Sequence, residues 1–305
     1  MRHGKNRFLV GALAAPLLLY GVFVVSPYAQ AFYLAFTDWN GLSGQAEAVG
    51  LANFTALWSD RLFLAALRNN GLMLLAVPLL TIVLALFFAA LLTMGRSDRH
   101  GGIGGIQGSG AYRIVYFFPQ LLSVAILAVL FQFIYTPKNG LLNGLLEAIG
   151  LGSLGRAWLA EPAWALPAVM AVMIWAAVGF YVVLFAAAME SIPRDVLEAA
   201  RLDGAGRLTT FRRITLPFVW DTVQVAYVYL GILALDGFAL VQIMTVGPGG
   251  PDNSTEVIGL TLYRSAFTYG KFGYASAMGV TLFFLTLSLT MLALRATRRE
   301  RVEVA

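Results

Sequence analysis

Long apolar runs alternate with short polar segments along most of the chain. Six runs are long enough to cross a hydrocarbon core of about 30 Å as helices, which takes about 20 residues each. They lie near Phe8 to Phe36, Gly71 to Met94, Tyr112 to Tyr135, Ala163 to Met189, Leu216 to Met244, and Tyr274 to Ala296. Runs of this length predict an all-α membrane protein of about six transmembrane helices, read as one domain over residues 1–305. Composition agrees: 59% of residues are hydrophobic and 12% charged, with mean hydropathy +0.76. Soluble domains carry roughly 25% charged residues.

Six spans put both termini on one side, and Lys and Arg say which. The segments assigned inside hold Arg2, Lys5, Arg7, Arg96, Arg99, Arg113, Arg194, Arg201, Arg207, Arg212, Arg213, Arg295, Arg298, Arg299 and Arg301. Those assigned outside hold only Arg61, Arg68, Lys138, Arg156, Arg264 and Lys271. The termini are therefore expected in the cytoplasm, and the net charge of +5 reflects topology rather than a nucleic-acid surface. The basic start, apolar stretch and Ala29-Gln30-Ala31 also fit a cleaved secretory signal. The apolar part exceeds the roughly 7–15 residues of a signal's central region, so it is read as a retained first span. The chain has no Cys, which removes disulfides and thiolate metal sites.

Between the fourth and fifth runs, Pro193 suits a first helical turn and Asp195 adds negative charge at its dipole-positive end. Gly204 suits a left-handed closing residue, and a second short helix is expected from about Arg207 toward Arg213. Two short helices then meet at a corner. Val196, Leu197 and Ala200 form an apolar ridge for docking, with Glu198, Arg201, Asp203 and Arg207 polar. A juxtamembrane amphipathic helix resting on headgroups is the alternative.

The spacing here decides between them. Glu198-Ala199-Ala200 is followed by Asp203-Gly204 and then by Ile214-Thr215-Leu216-Pro217. This resembles the EAA loop of ATP-binding-cassette importer permeases with a MetI-like core, and the segment 190–217 is identified with it. The resemblance implies that Glu198, Ala199, Ala200, Asp203, Gly204, Ile214, Leu216 and Pro217 form a cytoplasmic coupling loop seated in a separate ATPase subunit. ATP and Mg would be used there, with no cofactor on this chain.

Further phrases resemble sugar-importer permeases of the carbohydrate-uptake class: Gly50-Leu51-Ala52-Asn53-Phe54 and Leu67-Arg68-Asn69-Asn70 in the first outer loop, Phe117-Phe118-Pro119-Gln120, Gly140-Leu141-Leu142-Asn143, and Gly273 through Gly279. Thr245, Gly249-Gly250-Pro251 and Ser254-Thr255 match that class with a small insertion at Gly247-Pro248, and are read as a binding-protein contact. The resemblance implies a second, homologous permease, two ATPase subunits, an extracytoplasmic sugar-binding protein and a location in the bacterial cell membrane. The closest likeness is to permeases for N-acetylglucosamine or chitobiose.

Asp236 stands out within the fifth run, because a carboxylate deep in a span costs about 2.5–3.5 kcal/mol on insertion scales. It must face protein, a partner or water. Asp236 and Gln242 are assigned to the substrate pathway, with helix packing the alternative for Asp236; Asp221 is read as interfacial. Pro119 is expected to kink the third span. The Gly-rich stretch Gly101 to Gly110 is read as a flexible linker, since no Gly-Lys-Ser/Thr of a phosphate loop follows. The only histidines, His3 and His100, lie in basic inner segments, and no metal or triad motif is present. A self-contained carrier or channel, or an intramembrane enzyme, are the competing classes. The first would call for more buried ionisable groups and the second for a catalytic constellation.

Overall fold

A computed structural model describes residues 2–42, 44, 46–94, 96–97, 103–104, 117–247 and 249–296. Among these residues the fold is helical apart from a two-residue antiparallel pair, Arg96–Ser97 with Ile103–Gly104, and an isolated bridge between Thr37 and Ala48. Most of the Gly-rich linker and the first part of the third apolar run, residues 105–116, lie outside the described residues.

The helices form two compact units, Met1–Leu64 with Thr261–Leu285 and Ala65–Leu260 with Thr286–Ala305. In the first unit, helix Arg2–Tyr20 passes through a π turn, Gly21–Val25, into helix Ser26–Leu34. The wide turn comes just before Pro27, which has no N–H to give and whose ring would strike the carbonyl four residues back. Phe32 meets Phe283 and Phe284 edge-on at 5.6 and 5.9 Å. Asp60 caps helix Arg61–Met94 by accepting from Leu62 N–H at 2.8 Å, and its other oxygen accepts from the Tyr274 hydroxyl at 2.8 Å.

The second unit is built on three long helical elements. Helix Arg61–Met94 begins about ten residues before the expected start of the second span, so Arg68, Asn69 and Asn70 are helical rather than loop. Helix Pro162–Glu190 matches the fourth run closely. Helix Trp220–Leu235 carries the fifth run, but breaks at Asp236-Gly237 and resumes as Phe238–Met244. Buried side chains gather in two clusters. One holds Met73, Val77, Val169, Met173, Val241 and Met244; the other holds Ala85, Ala89, Val182, Phe185, Val219 and Leu230. Alanines at these contacts let helix backbones approach closely, which is how helices pack where lipid removes the hydrophobic drive between them.

The opposite face of helix Arg61–Met94 presents Leu75, Leu79, Val83, Phe87 and Leu91, all exposed and spaced four residues apart. A continuous exposed apolar stripe of this length suits hydrocarbon, not water. Among the described residues, four helices are long and apolar enough to cross a membrane: Gly11–Leu34, Arg61–Thr93, Pro162–Glu190 and Phe272–Leu292. A fifth results if Arg207–Phe218 and Trp220–Leu235, bent by 68°, count as one span. The expected sixth is not a full-length helix among the described residues. At Pro119 the third run forms a 3₁₀ turn, Phe118–Leu121, and an extended Leu122 in place of a kink. Ser123 then caps an 11-residue helix, Val124–Ile134, by accepting from Ile126 N–H. At 1.5 Å per residue that helix spans about half the hydrocarbon core.

Candidate functional site

The segment after helix Pro162–Glu190 folds as two short helices around a tight corner. Pro193 stands immediately before helix Arg194–Leu202 with ψ 133°, one residue ahead of its expected place. Asp195 occupies the first turn and Arg201 the last, each suited to the helix dipole. The helix closes in a Schellman motif: Ala205 N–H donates to Ala200 C=O at 2.9 Å and Gly204 N–H to Arg201 C=O at 3.0 Å. Gly204 has φ +78°, as the spacing required.

Side-chain directions differ from the expected ridge. Ala200 is buried, and Leu197 packs against the cluster holding Met189 and Ile192, so this face holds the helix to its own unit. Asp195, Glu198, Ala199 and Leu202 fall on the opposite face, all exposed, with Leu202 89% exposed. Asp203 is exposed at the corner. This exposed face is thus acidic along the helix, at Asp195 and Glu198, and apolar at its tip.

The second helix does not stop near Arg213. Helix Arg207–Thr210 runs through a π turn, Phe211–Thr215, into Leu216–Phe218. Leu216 N–H reaches back five residues to Phe211 C=O, which makes room for Pro217 at the next position. Leu216 packs inward, Ile214 is half-buried and Pro217 is exposed.

Asp236 sits at the helix break with φ −91° and ψ 23°, not inside a continuous span. It is exposed, as is Gln242 on helix Phe238–Met244. Asp236 lines a cleft of about 280 Å³ together with Gln120, Met173, Leu233, Gly237 and Ala239. Gln120 donates to Ala176 C=O at 2.8 Å, fixing the rim of the cleft to helix Pro162–Glu190. Asp221 is exposed in the first turn of helix Trp220–Leu235, where the dipole favours it.

Past Met244 the chain turns through consecutive unusual conformations. Gly249 and Gly250 have φ +80° and +72°, and Asp252 and Asn253 follow at +51° and +56°. A Cβ on Gly249 would collide with the Glu256 carboxylate, and one on Gly250 with the Thr255 hydroxyl, so the turn is closed tightly on its own return strand. Thr245, Gly249, Thr255 and Glu256 are buried, Pro251 and Ser254 half-buried, and Val246, Asp252 and Asn253 exposed. Pro248 lies outside the described residues.

Several polar residues missed as functional from sequence are structural anchors here. Gln132 donates to Ile243 C=O at 2.6 Å. Asn143 ties together the segment between helices Val124–Ile134 and Pro162–Glu190 by donating to Pro137 and Arg156 carbonyls and accepting from Trp158 Nε1 at 2.8 Å. Asn69 and Asn70, buried on helix Arg61–Met94, bond to residues nearly 190 positions away. A pair of amides beside an apolar run was the available signal.

Residues 48–302 match the family described as the binding-protein-dependent transport system inner membrane component. The chain belongs to this family. The permease is 46% identical over 292 residues, 95% of its length and 82% of the relative's, to the diacetylchitobiose uptake system permease protein NgcF of Streptomyces coelicolor. It is 29% identical, with 95% of both chains covered, to the multiple sugar-binding transport system permease protein MsmF of Streptococcus mutans. Its fold superimposes on a chain of a bacterial ABC transporter that imports alginate, with TM-score 0.81, 23% identity and 98% of both chains covered. A second structure of that kind of transporter, with an alginate-pentasaccharide-bound periplasmic protein, gives TM-score 0.77 at 24% identity, covering 98% of this chain and 96% of the other. The permease is thus a membrane-spanning subunit of an ABC importer for sugars.

Proposed function

We propose that the permease imports N-acetylated chito-oligosaccharides, diacetylchitobiose foremost, as one of two homologous membrane subunits served by two ATPase subunits and an extracytoplasmic binding protein. The 46% identity to the diacetylchitobiose permease across 95% of the chain carries this reading. Whole residues 1–305 work as one permease with both termini in the cytoplasm, in keeping with the bias of Lys and Arg. ATP and Mg act in the partner ATPases.

Transport proceeds by alternating access. ATP closes the ATPase pair, and the corner at Arg194–Phe218 follows through Glu198, Ala199, Leu202 and Asp203. Gly204 keeps that corner tight, while Ala200, Ile214, Leu216 and Pro217 join it to the fifth span. Because this span is interrupted at Asp236-Gly237, its two halves can reorient separately, as broken helices do where irregular backbone lines a cavity. Asp236 and Gln242 offer a carboxylate and an amide to sugar hydroxyls, and the outer turn from Thr245 through Gly249, Gly250, Pro251, Ser254 and Thr255 meets the loaded binding protein. Deleting the gene and measuring uptake of labelled diacetylchitobiose and of maltose tests the substrate. Loss of the first alone, restored by the gene, is expected; undiminished diacetylchitobiose uptake contradicts the assignment.

A further inference from the structure

Asn69 and Asn70 are neighbours on helix Arg61–Met94, and both are buried, at 7% and 1% exposure. Successive residues on a helix point about 100° apart, so one pair of amides addresses two different elements. The Asn69 amide donates to Ser254 C=O at 3.1 Å and to Glu256 C=O at 2.9 Å, gripping the return strand of the outer turn. Asn70 works from both ends. Its oxygen accepts from Ile258 N–H at 2.8 Å, and its nitrogen faces Ala234 C=O at 3.5 Å and Leu235 C=O at 3.4 Å. Those partners fix the amide orientation, since an N–H stands at one end and carbonyls at the other.

The carbonyls of Ala234 and Leu235 are orphans left by the helix ending at Asp236. Buried, each costs free energy unless it finds a donor. Asn70 is that donor, and it is shared and long. The bonds to the outer segment are short, whereas those to the break are at the limit of hydrogen-bonding distance. The two amides therefore bond closely to the outer turn and only at long range to the carbonyls of the break, while apolar side chains pack helix Arg61–Met94 against the interrupted span. The contact is reinforced one turn along, where Gly237 lies so close that a Cβ would stand 2.9 Å from Met73 Cε. Asn70 is thus a polar group placed to sense both the outer turn, through a short bond, and the break, through a long and shared one.

We infer that Asn69 and Asn70 are positioning residues that link the outer turn to the helix break, so that a displacement of the turn by the binding protein is passed through Asn70 to the carbonyls of Ala234 and Leu235 and reorients the cleft beside Asp236. The inference rests on the proposed docking of the binding protein at this turn. Neither amide touches sugar. Asn69 sets the position of the turn, and Asn70 transmits it.

The absence of native Cys gives a direct readout. Ala239 is exposed and lines the cleft, so Ala239→Cys reports its accessibility with little change in bulk. The importer would be assembled with its partner subunits in lipid nanodiscs, and the maleimide labelling rate measured with and without its sugar-loaded binding protein. The rate is expected to respond to the binding protein. With Asn70→Asp, which keeps the acceptor for Ile258 N–H but turns an oxygen toward the two carbonyls, the response should shrink roughly two- to tenfold, the factor carried by an ordinary hydrogen bond. Copurification of the partners and binding-protein affinity should hold. Asn70→Ala, which adds no charge, should give the same loss, and Asn69→Ala should weaken binding-protein affinity as well. A full response in Asn70→Asp, or loss of assembly in both Asn70 variants, overturns the inference. So does an unresponsive Ala239→Cys in an importer that transports normally; failure of the underlying importer reading would show instead as absent ATP-driven uptake.

Discussion

The corner of the proposed coupling loop depends on one backbone conformation, and its cost can be worked out. Gly204 has φ +78°, and no heavy atom lies within 4 Å of where a Cβ would stand. A substitution there meets no neighbour within this chain, so its penalty to the fold of the corner is conformational alone. For an ordinary L-residue the left-handed region costs about 1–2 kcal/mol, less for Asn and more for a β-branched side chain. That is roughly a five- to thirtyfold loss in the population of the closed corner. The expected order of coupling is therefore Gly, Asn, Ala, Val, with Gly204→Asp between Asn and Ala. Gly206 is the control, because it has φ −69° and equally open surroundings. As the residue preceding the second helix it should accept Ser without loss, Ser being a preferred cap. The assay is the ratio of sugar taken up to ATP hydrolysed in proteoliposomes, with membrane abundance measured alongside. Wild-type coupling in Gly204→Val, or Gly204→Asn as poor as Val, would refute the conformational argument.

Glu198→Lys reverses charge on the exposed face of helix Arg194–Leu202 without touching the packed one; uptake should fall at least tenfold with the permease still in the membrane, and normal uptake at normal abundance would remove Glu198 from the interface. Cysteines placed singly at Ser97 and Ser153 should react oppositely with an impermeant thiol reagent, Ser153 in intact cells and Ser97 only after permeabilisation; equal labelling in intact cells excludes the assigned orientation. Asp236→Asn should weaken uptake with partner copurification retained if the carboxylate binds sugar hydroxyls, whereas Asp236→Leu should lose uptake altogether; wild-type uptake in both would leave the residue without a pathway role. Asn143→Leu strips the hydrogen bonds that tie Pro137, Arg156 and Trp158 together and should cost about 1–3 kcal/mol of stability, read as a lower melting midpoint in detergent; an unchanged midpoint would count against it as an anchor.

What could be read from the chain followed the range of the forces involved. Gly204 was legible because a left-handed closing residue is a local requirement, and the helix Pro162–Glu190 because apolar length is additive. The start of helix Arg61–Met94 was misplaced because Arg68, Asn69 and Asn70 look solvated in sequence; the partners of Asn69 and Asn70 at 234–258 are visible only in three dimensions. Pro119 signalled disturbance, but a kink and a complete break leave the same trace in one dimension, and the break at Asp236-Gly237 was read through as a continuous span. The inward turn of Leu197 and Ala200 was also hidden, since an amphipathic helix has an apolar face whichever way it points.

The central claim is that this chain moves sugar only as part of an ATP-driven, binding-protein-dependent assembly. Its most direct test is uptake of labelled diacetylchitobiose into proteoliposomes holding this chain and its partner permease, with the ATPase subunits and ATP inside and the binding protein outside, each omitted in turn. Accumulation that requires all of them is the predicted result. Accumulation by this chain alone, indifferent to ATP and to the binding protein, would contradict the account and identify a self-contained carrier.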